Sequence, residues 1–521
     1  EILNFKPISS YKTTAEFVNG EGLKFKSKYS LNINEDDNFV AFLEGFKDAK
    51  FSISSIKKSP LTKKPAPPFT TSTMQQEAAR KLGFSVSRTM QTAQRLYESG
   101  HITYMRTDSV TLSQTALNSI KNTIETKYGS NYHQSRNFNN KSKNAQQAHE
   151  AVRPTNFMNK IQNVDADQSN LYDLIWRRSV ASQMSDAKVD KTTVKVKSNN
   201  HEGVFQSDGE VIKFDGFLKL YRESKDNQTN EESQNSLLPN FNEGEIIKKE
   251  KVLVTQFFTK PPFRFTEASL VKKLEELGIG RPSTYAPTIT TVMNRKYVFK
   301  GTNNAQTRDI VQFIIDSEVC KKVNKENYGS NKGKLVPSEV GILVNEFLTN
   351  NFKNIIDYNF TASVENEFDL IANGLKDWKA IIHKFYDPFS LVIDDVQKNA
   401  KRETGERVLG EDPKSGRQLS VKLGKYGPIA QIGKVDEEEK PLFASLLPDQ
   451  QISKITSEEA LKLFELPVYV GDFDDERVEA NIGRYGPYIR HKKVFIPIPE
   501  GFNPFTITIE KSIELIKAKM E

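Results

Sequence analysis

The string Gly100-His101-Ile102-Thr103-Tyr104-Met105-Arg106-Thr107-Asp108-Ser109 carries side chains suited to phosphate chemistry. A phenol can act as a covalent nucleophile, and a guanidinium beside it can hold the two non-bridging oxygens of a phosphodiester. In an extended segment residues two apart project from one face, which makes Tyr104 and Arg106 neighbours. Arg106 would then offset charge developing at phosphorus. Spacing alone leaves a second reading open, because Tyr-x-Arg also describes a packed tyrosine beside a surface arginine. An ordinary phenol keeps its proton at neutral pH, so attack requires a proton acceptor, nearby cationic charge, or both.

Two further strings hold phosphate-capable side chains. Ala148-His149-Glu150-Ala151-Val152-Arg153-Pro154-Thr155 places His149 and Arg153 beside a helix-breaking proline. Gly278-Ile279-Gly280-Arg281-Pro282-Ser283-Thr284-Tyr285 follows a Lys/Glu-rich helix at 267–277. Glycine stops that helix, and Arg281, Ser283 and Thr284 open the next, whose N-terminus is a natural phosphate site. Asp472-Phe473-Asp474-Asp475-Glu476 fits the letters DxDxE of a magnesium cluster. It lacks the parallel α/β surroundings that would aim three carboxylates at one ion, and it reads as a surface turn.

These strings must be held by elements, and 521 residues give room for three or four domains. No run approaches the roughly 20 apolar residues of a membrane span. The single cysteine, Cys320, excludes a disulfide framework, a four-cysteine zinc ribbon and a CxxC pair. Of the net charge of +7, most lies between Pro65 and Lys188, where 15 basic residues face 9 acidic ones (15 − 9 = +6). Such a segment fits a phosphate-binding domain, and equally a solvated surface with chance clustering.

Apolar–polar alternation at 1–58, 191–221 and 245–258 predicts antiparallel strands. Lys63-Lys64-Pro65-Ala66-Pro67-Pro68 marks a boundary, after which a hydroxyl-capped helix and further helices at Arg88–Gly100, Ser113–Lys127 and Asp167–Met184 are expected. The Ser/Asn/Gln/Glu-rich stretch 223–236 reads as a solvated loop. The expected architecture is multidomain α+β: a β-rich arch at 1–64 and 189–262, an inserted helical domain at 65–188, a helical domain at 263–398, and a C-terminal block at 399–521. That block contains a repeat, Leu423-Gly424-Lys425-Tyr426-Gly427-Pro428 returning 59 residues later as Ile482-Gly483-Arg484-Tyr485-Gly486-Pro487. A basic residue beside an aromatic at a glycine-rich tip can contact phosphate and stack a base, or the glycines merely turn the chain.

Taken together, the three strings resemble the signature motifs of the type IA DNA topoisomerases, bacterial topoisomerase I in particular. Pro68-Phe69-Thr70-Thr71-Ser72-Thr73-Met74-Gln75-Gln76-Glu77-Ala78, Ala93–Gly100, Thr266–Lys272 and Phe360-Thr361-Ala362 add to the likeness, in family order. The resemblance implies a toroid-like arch with C-terminal topoisomerase repeats, and relaxation of negatively supercoiled DNA without ATP. In it Tyr104 is the nucleophile that becomes 5′-phosphotyrosyl-linked, Arg106 stabilises the scissile phosphate, and His149 lies near the same phosphate. Arg153, Arg281, Ser283 and Thr284 fall in motifs along the single-strand path; Asp108 orients a neighbour or caps a backbone. The family also implies Mg²⁺, held by a Toprim domain expected before Glu1, so that this stretch alone would bind single-stranded DNA without relaxing supercoils. A cytoplasmic, nucleoid-bound monomer with no membrane partner is implied as well. A topoisomerase III-like decatenase and a non-catalytic single-strand clamp are the alternatives. A tyrosine recombinase would need its arginines and histidines ahead of a C-terminal tyrosine, and a relaxase would need a His-x-His pair.

Overall fold

Phe17, Phe51 and Phe205 come from three strands far apart in sequence, yet each is fully buried against the others, with ring centroids 5.0 to 6.0 Å apart. They fill a ring of antiparallel strands: β1 (Ser9–Val18), β2 (Lys24–Ile33), β3 (Phe51–Lys63), β4 (Ala187–Ser198), β5 (Val204–Phe214) and β6 (Ile246–Phe258). Their order is β1-β2-β5-β4-β3-β6, and β6 returns to pair with β1, so the ring has no free edge between its first and last strands. The short helix α1 (Phe39–Glu44) adds Phe39 and Leu43 to this core, and the His201 ring stacks on Phe46 at 3.7 Å.

The computed structural model describes all residues except 1, 3, 35–37, 139–149, 159–160, 224–237, 401–404, 426, 435–436, 448–449, 453, 484–485, 500 and 521. The loop expected at 223–236 falls almost entirely outside the described residues.

Between β3 and β4 the chain leaves the ring and forms α2 (Thr71–Leu82), α3 (Val86–Glu98), α4 (Gln114–Tyr128) and α5 (Ala166–Ser182). Each start is written locally. Thr70 and Thr73 form a capping box at α2, Ser85 and Ser113 cap α3 and α4, and Asp165 with Gln168 boxes α5. Gly83, in the left-handed region at φ 66°, ends α2. The four helices share one apolar core built on Met74, Leu96, Ile102, Ile120, Leu171 and Ile175. Arg178, nearly fully buried, ties the two ends of this insert together. It donates to the Pro67 carbonyl (2.6 Å), pairs with Glu223 (2.6 Å) and lies over the rings of Phe69 and Tyr221. Tyr221 donates to Glu77 (2.6 Å), and burial pushes its phenol pKa far up.

Beyond the ring lie α6 (Glu267–Glu276), α7 (Tyr285–Asn294), β7 (Val298–Lys300), β8 (Gln306–Ile315), β9 (Val319–Tyr328), β10 (Leu335–Pro337), α8 (Glu339–Asn351), α9 (Lys353–Ile356), α10 (Tyr358–Ala372) and α11 (Trp378–Asn399). This corrects the expectation of one helical domain at 263–398. The β8–β9 hairpin extends the large sheet, with Val252–Thr255 of β6 paired to Gln312–Ile315. The run Ile310, Val311, Phe313, Ile314, Ile315 is β-branched and aromatic enough to signal a strand. The segment is also divided: Glu1–Thr291, Lys300–Val336 and Thr361–Leu370 make one compact unit, while Val292–Phe299, Pro337–Phe360 and Ile371–Glu521 make another.

The C-terminal block holds two four-stranded antiparallel sheets in simple meander order. The first is β11 (Arg407–Glu411), β12 (Gln418–Gly424), β13 (Gly427–Ile432) and β14 (Leu442–Ser445); the second is β15 (Val468–Phe473), β16 (Glu476–Gly483), β17 (Gly486–His491) and β18 (Val494–Pro497). The repeat read from the sequence is also a repeat of register. Leu423 pairs Pro428 and Gly424 pairs Gly427, as Ile482 pairs Pro487 and Gly483 pairs Gly486. Tyr426, Arg484 and Tyr485 lie outside the described residues.

Candidate active site

From Ile102 to Ser109 the chain forms no regular strand and bends at Thr103 and Met105, and from Tyr104 to Ser109 its burial alternates. Ile102, Met105, Thr107 and Ser109 are buried; Tyr104 and Arg106 are exposed and Asp108 is intermediate. Two apolar and two hydroxyl side chains face the core of the insert, so the intervening side chains must face out. Two threonine hydroxyls fix this strip. The Thr71 hydroxyl, fully buried in the first turn of α2, donates to the Met105 carbonyl (2.7 Å) and accepts from the Thr107 N–H (2.8 Å). The Thr71 N–H donates to the Thr107 carbonyl (2.9 Å). At the other end the Thr103 hydroxyl donates to the Ala151 carbonyl (2.7 Å) and accepts from the Arg153 N–H (2.9 Å).

Tyr104 is 41% exposed, and its ring meets the edge of Tyr97 with centroids 5.2 Å apart. Arg106 lines a cleft of about 340 Å³ with Ser87, Met90 and Gln91 of α3 and with Pro282, Ser283, Pro287 and Thr290. Arg106 and Ser283, far apart in the chain, therefore share one cleft. Among the described residues no salt bridge engages Arg106.

The other arginines named from the sequence are already paired. Arg153, with a side chain 13% exposed, donates to Glu150 through Nη2 (2.6 Å) and Nε (3.3 Å). Glu150 also accepts from the Ser113 N–H at the start of α4 (2.5 Å). Burial by itself raises the Glu150 pKa, but Arg153 and Ser113 outweigh it and hold the carboxyl below its usual range. Arg281 pairs with Glu365 (3.5 Å) and lies 3.8 Å from Asp369. Thr284 closes the turn before α7, accepting from the Arg281 N–H (2.8 Å). Tyr285, at the start of α7, is driven up to about 12 by burial first and by Glu275 next, with Asp108 and Glu365 adding to the shift. Asp108 thus sits close enough to α7 to act on its electrostatics. His149 lies outside the described residues.

Sequence reasoning misses one group of candidates. Phe263, Arg264, Phe265, Lys272, Lys273 and Lys334 line a second cleft of about 270 Å³ at the start of α6, where Thr266 and Ser269 form a capping box. Phe263 and Phe265 stay 61% and 42% exposed, alternating with Arg264. Basic residues interleaved with exposed rings are a single-strand signature, and Pro261–Phe265 carries it in plain letters.

The fit of Mg²⁺ can be tested on the DxDxE letters. Asp474 and Asp475 are the two left-handed residues (φ 52° and 56°) of a two-residue hairpin turn joining β15 to β16. Asp472 accepts from the Tyr469 hydroxyl (2.6 Å), and Asp474 pairs with Lys492. Among the described residues no group of three His, Cys, Asp or Glu side chains could hold a metal ion. These residues do not fit the ion, and no step below passes through it.

A family model described as DNA topoisomerase matches residues 1–314, and one described as topoisomerase C-terminal repeat matches 412–469 and 472–521. A protein named DNA topoisomerase 1 from Xylella fastidiosa is 39% identical over 98% of this chain and 61% of its own length. Another of that name from Rickettsia bellii is 34% identical over 100% of this chain and 73% of its own. The solved structure of full-length topoisomerase I from Thermotoga maritima superposes with a TM-score of 0.66 at 30% identity, covering 86% of this chain and 68% of that one. The chain belongs to the type IA DNA topoisomerases, in the bacterial topoisomerase I family. It spans about three fifths of the length of the Xylella fastidiosa relative.

Proposed function

We propose that this chain carries the nucleophile half of an enzyme that relaxes negatively supercoiled DNA by cutting and resealing one strand. The observation that carries the reading is the pinned strip. It presents Tyr104 and Arg106 outward from a rigid scaffold, and Arg106 opens onto a cleft shared with Ser283. The Tyr104 phenol oxygen attacks the phosphorus of a phosphodiester and loses its proton to an acceptor. A bond from phosphorus to the tyrosine oxygen forms as the bond to the 3′-oxygen breaks; that oxygen takes up a proton and leaves as a free hydroxyl. Arg106 holds the non-bridging oxygens as charge builds. One phosphodiester is exchanged for another of similar energy, so resealing is the same step in reverse and needs no ATP.

The Phe263–Phe265 cleft supplies rings and cations suited to the bases and backbone of a single strand. Arg153 serves the site indirectly, through Glu150 and the start of α4. The two C-terminal repeats hold DNA without cutting it, which the repeated turn geometry and the repeat-family match support. The deciding experiment is denaturing capture of a single-stranded oligonucleotide on the full-length protein. A 5′-phosphotyrosyl adduct that maps to Tyr104 is expected, and an adduct at any other residue would overturn the reading. Deleting 399–521 should weaken DNA binding and flatten its salt dependence.

A further inference from the structure

We propose that Thr71, seconded by Thr103, is the positioning residue of the nucleophile strip, so that the first turn of α2 sets the aim of Tyr104 and Arg106. The inference rests on the reading of Tyr104 as nucleophile. The strip belongs to no regular strand; among the described residues its one bridge is Ile102 to Pro154. A segment without a ladder has little backbone bonding of its own to fix its orientation, and turning it would swing Tyr104 and Arg106 together. Thr71 removes that freedom. Its hydroxyl bonds the two peptide groups that flank Arg106, the Met105 carbonyl and the Thr107 N–H, and its own N–H holds the Thr107 carbonyl. Thr103, one residue before Tyr104, ties the strip to the neighbouring segment through the Ala151 carbonyl and the Arg153 N–H.

Thr71 is itself well anchored. It stands at the first position of a helix whose box closes between Thr70 and Thr73, with the Thr70 hydroxyl accepting from the Thr73 N–H (3.2 Å). Its neighbour Ser72 donates to Glu275 of α6 (2.7 Å). Neither threonine can reach a substrate, because Thr71 is fully buried and the Thr103 hydroxyl faces Ala151. Their effect would therefore fall on geometry at the reacting phosphorus.

The test uses the full-length protein and a single-stranded oligonucleotide. Thr71→Val keeps shape and removes the hydroxyl; it should slow adduct formation at saturating DNA about 10- to 100-fold, the scale of a misplaced nucleophile. The Kd for the same oligonucleotide should change less than about threefold. Thr71→Ser restores the hydroxyl and should bring the rate back to within about threefold of the parent, since only the methyl is lost. A purely structural role would instead make rate follow thermal stability in both variants. Thr71→Val cleaving as fast as the parent, or Thr71→Ser as slowly as Thr71→Val, would overturn the proposal. If Thr71→Val does not fold, the same pair at Thr103 decides, and equal rates for Thr103→Val and Thr103→Ser would overturn it. Tyr104→Phe run in parallel separates the two layers. An adduct that survives Tyr104→Phe removes the nucleophile reading and this inference with it, whereas an adduct lost there but normal in Thr71→Val removes this inference alone.

Discussion

Two short segments of this protein look equally rich in chemistry as letters: Tyr104-Met105-Arg106-Thr107-Asp108 and Asp472-Phe473-Asp474-Asp475-Glu476. In the first, buried residues alternate with outward ones, the Thr71 hydroxyl holds the backbone beside Arg106, and the Thr103 hydroxyl ties the segment to Ala151. In the second, the backbone reverses within two residues, and Tyr469 and Lys492 engage two of the carboxylates. A reactive side chain becomes a site when a buried scaffold dictates where it points and leaves it open to a substrate. A tight turn at the surface is open but lacks the buried scaffold.

The comparison breaks most sharply at Tyr104. Tyr104→Phe should abolish the covalent adduct while single-strand affinity, measured by fluorescence anisotropy, stays within about threefold, because ring and basic lining remain. Next comes Arg106→Ala, which should cut the cleavage rate about a hundredfold in single-turnover assays and weaken binding only a few-fold.

A smaller effect is expected from the scaffold behind the strip. Glu150→Gln loosens both Arg153 and the start of α4, and should cost about 1–3 kcal/mol in denaturant unfolding. Because the folded-state pKa of Glu150 is depressed, its contribution is fully present above the unfolded value near 4.5 and fades as pH falls through the folded one. Stability of the parent should therefore drop more steeply than that of Glu150→Gln as pH is lowered below about 4.5. Smallest of all, Asp474→Asn should leave the unfolding midpoint and adduct formation unchanged, since its pair with Lys492 is exposed and screened by solvent. A loss of cleavage in Asp474→Asn would erase the distinction between the two segments.

Much of the fold is legible in the residues alone. Alternation announces the strands of the ring, a hydroxyl cap announces the first helix of the insert, and the repeated Gly-basic-Tyr-Gly-Pro string announces the duplication that the C-terminal sheets repeat in register. The β8–β9 hairpin escapes that reading because helical segments surround it, although its β-branched run is visible. Phe263 to Phe265 escape it although the interleaved letters are visible, because the exposure of their rings and the lysines that share their cleft are settled by the fold.

The sequence by itself determined where chemistry could occur and that Tyr104 and Arg106 could share a face, because periodicity and capping act over a few residues; that the face is open rather than packed was decided by the fold. Residue type and spacing could not rank the arginines. Arg106, Arg153 and Arg281 are the same side chain beside similar motifs, yet Arg153 and Arg281 meet carboxylates while Arg106 opens onto a cleft. Glu150 stands three residues from Arg153, but burial makes that pair decisive, and Glu365 reaches Arg281 only because α10 folds back to it. Tertiary structure alone decided these pairings, since Coulomb attraction and desolvation depend on distance in space and on excluded water, and neither is written in the order of residues along a chain.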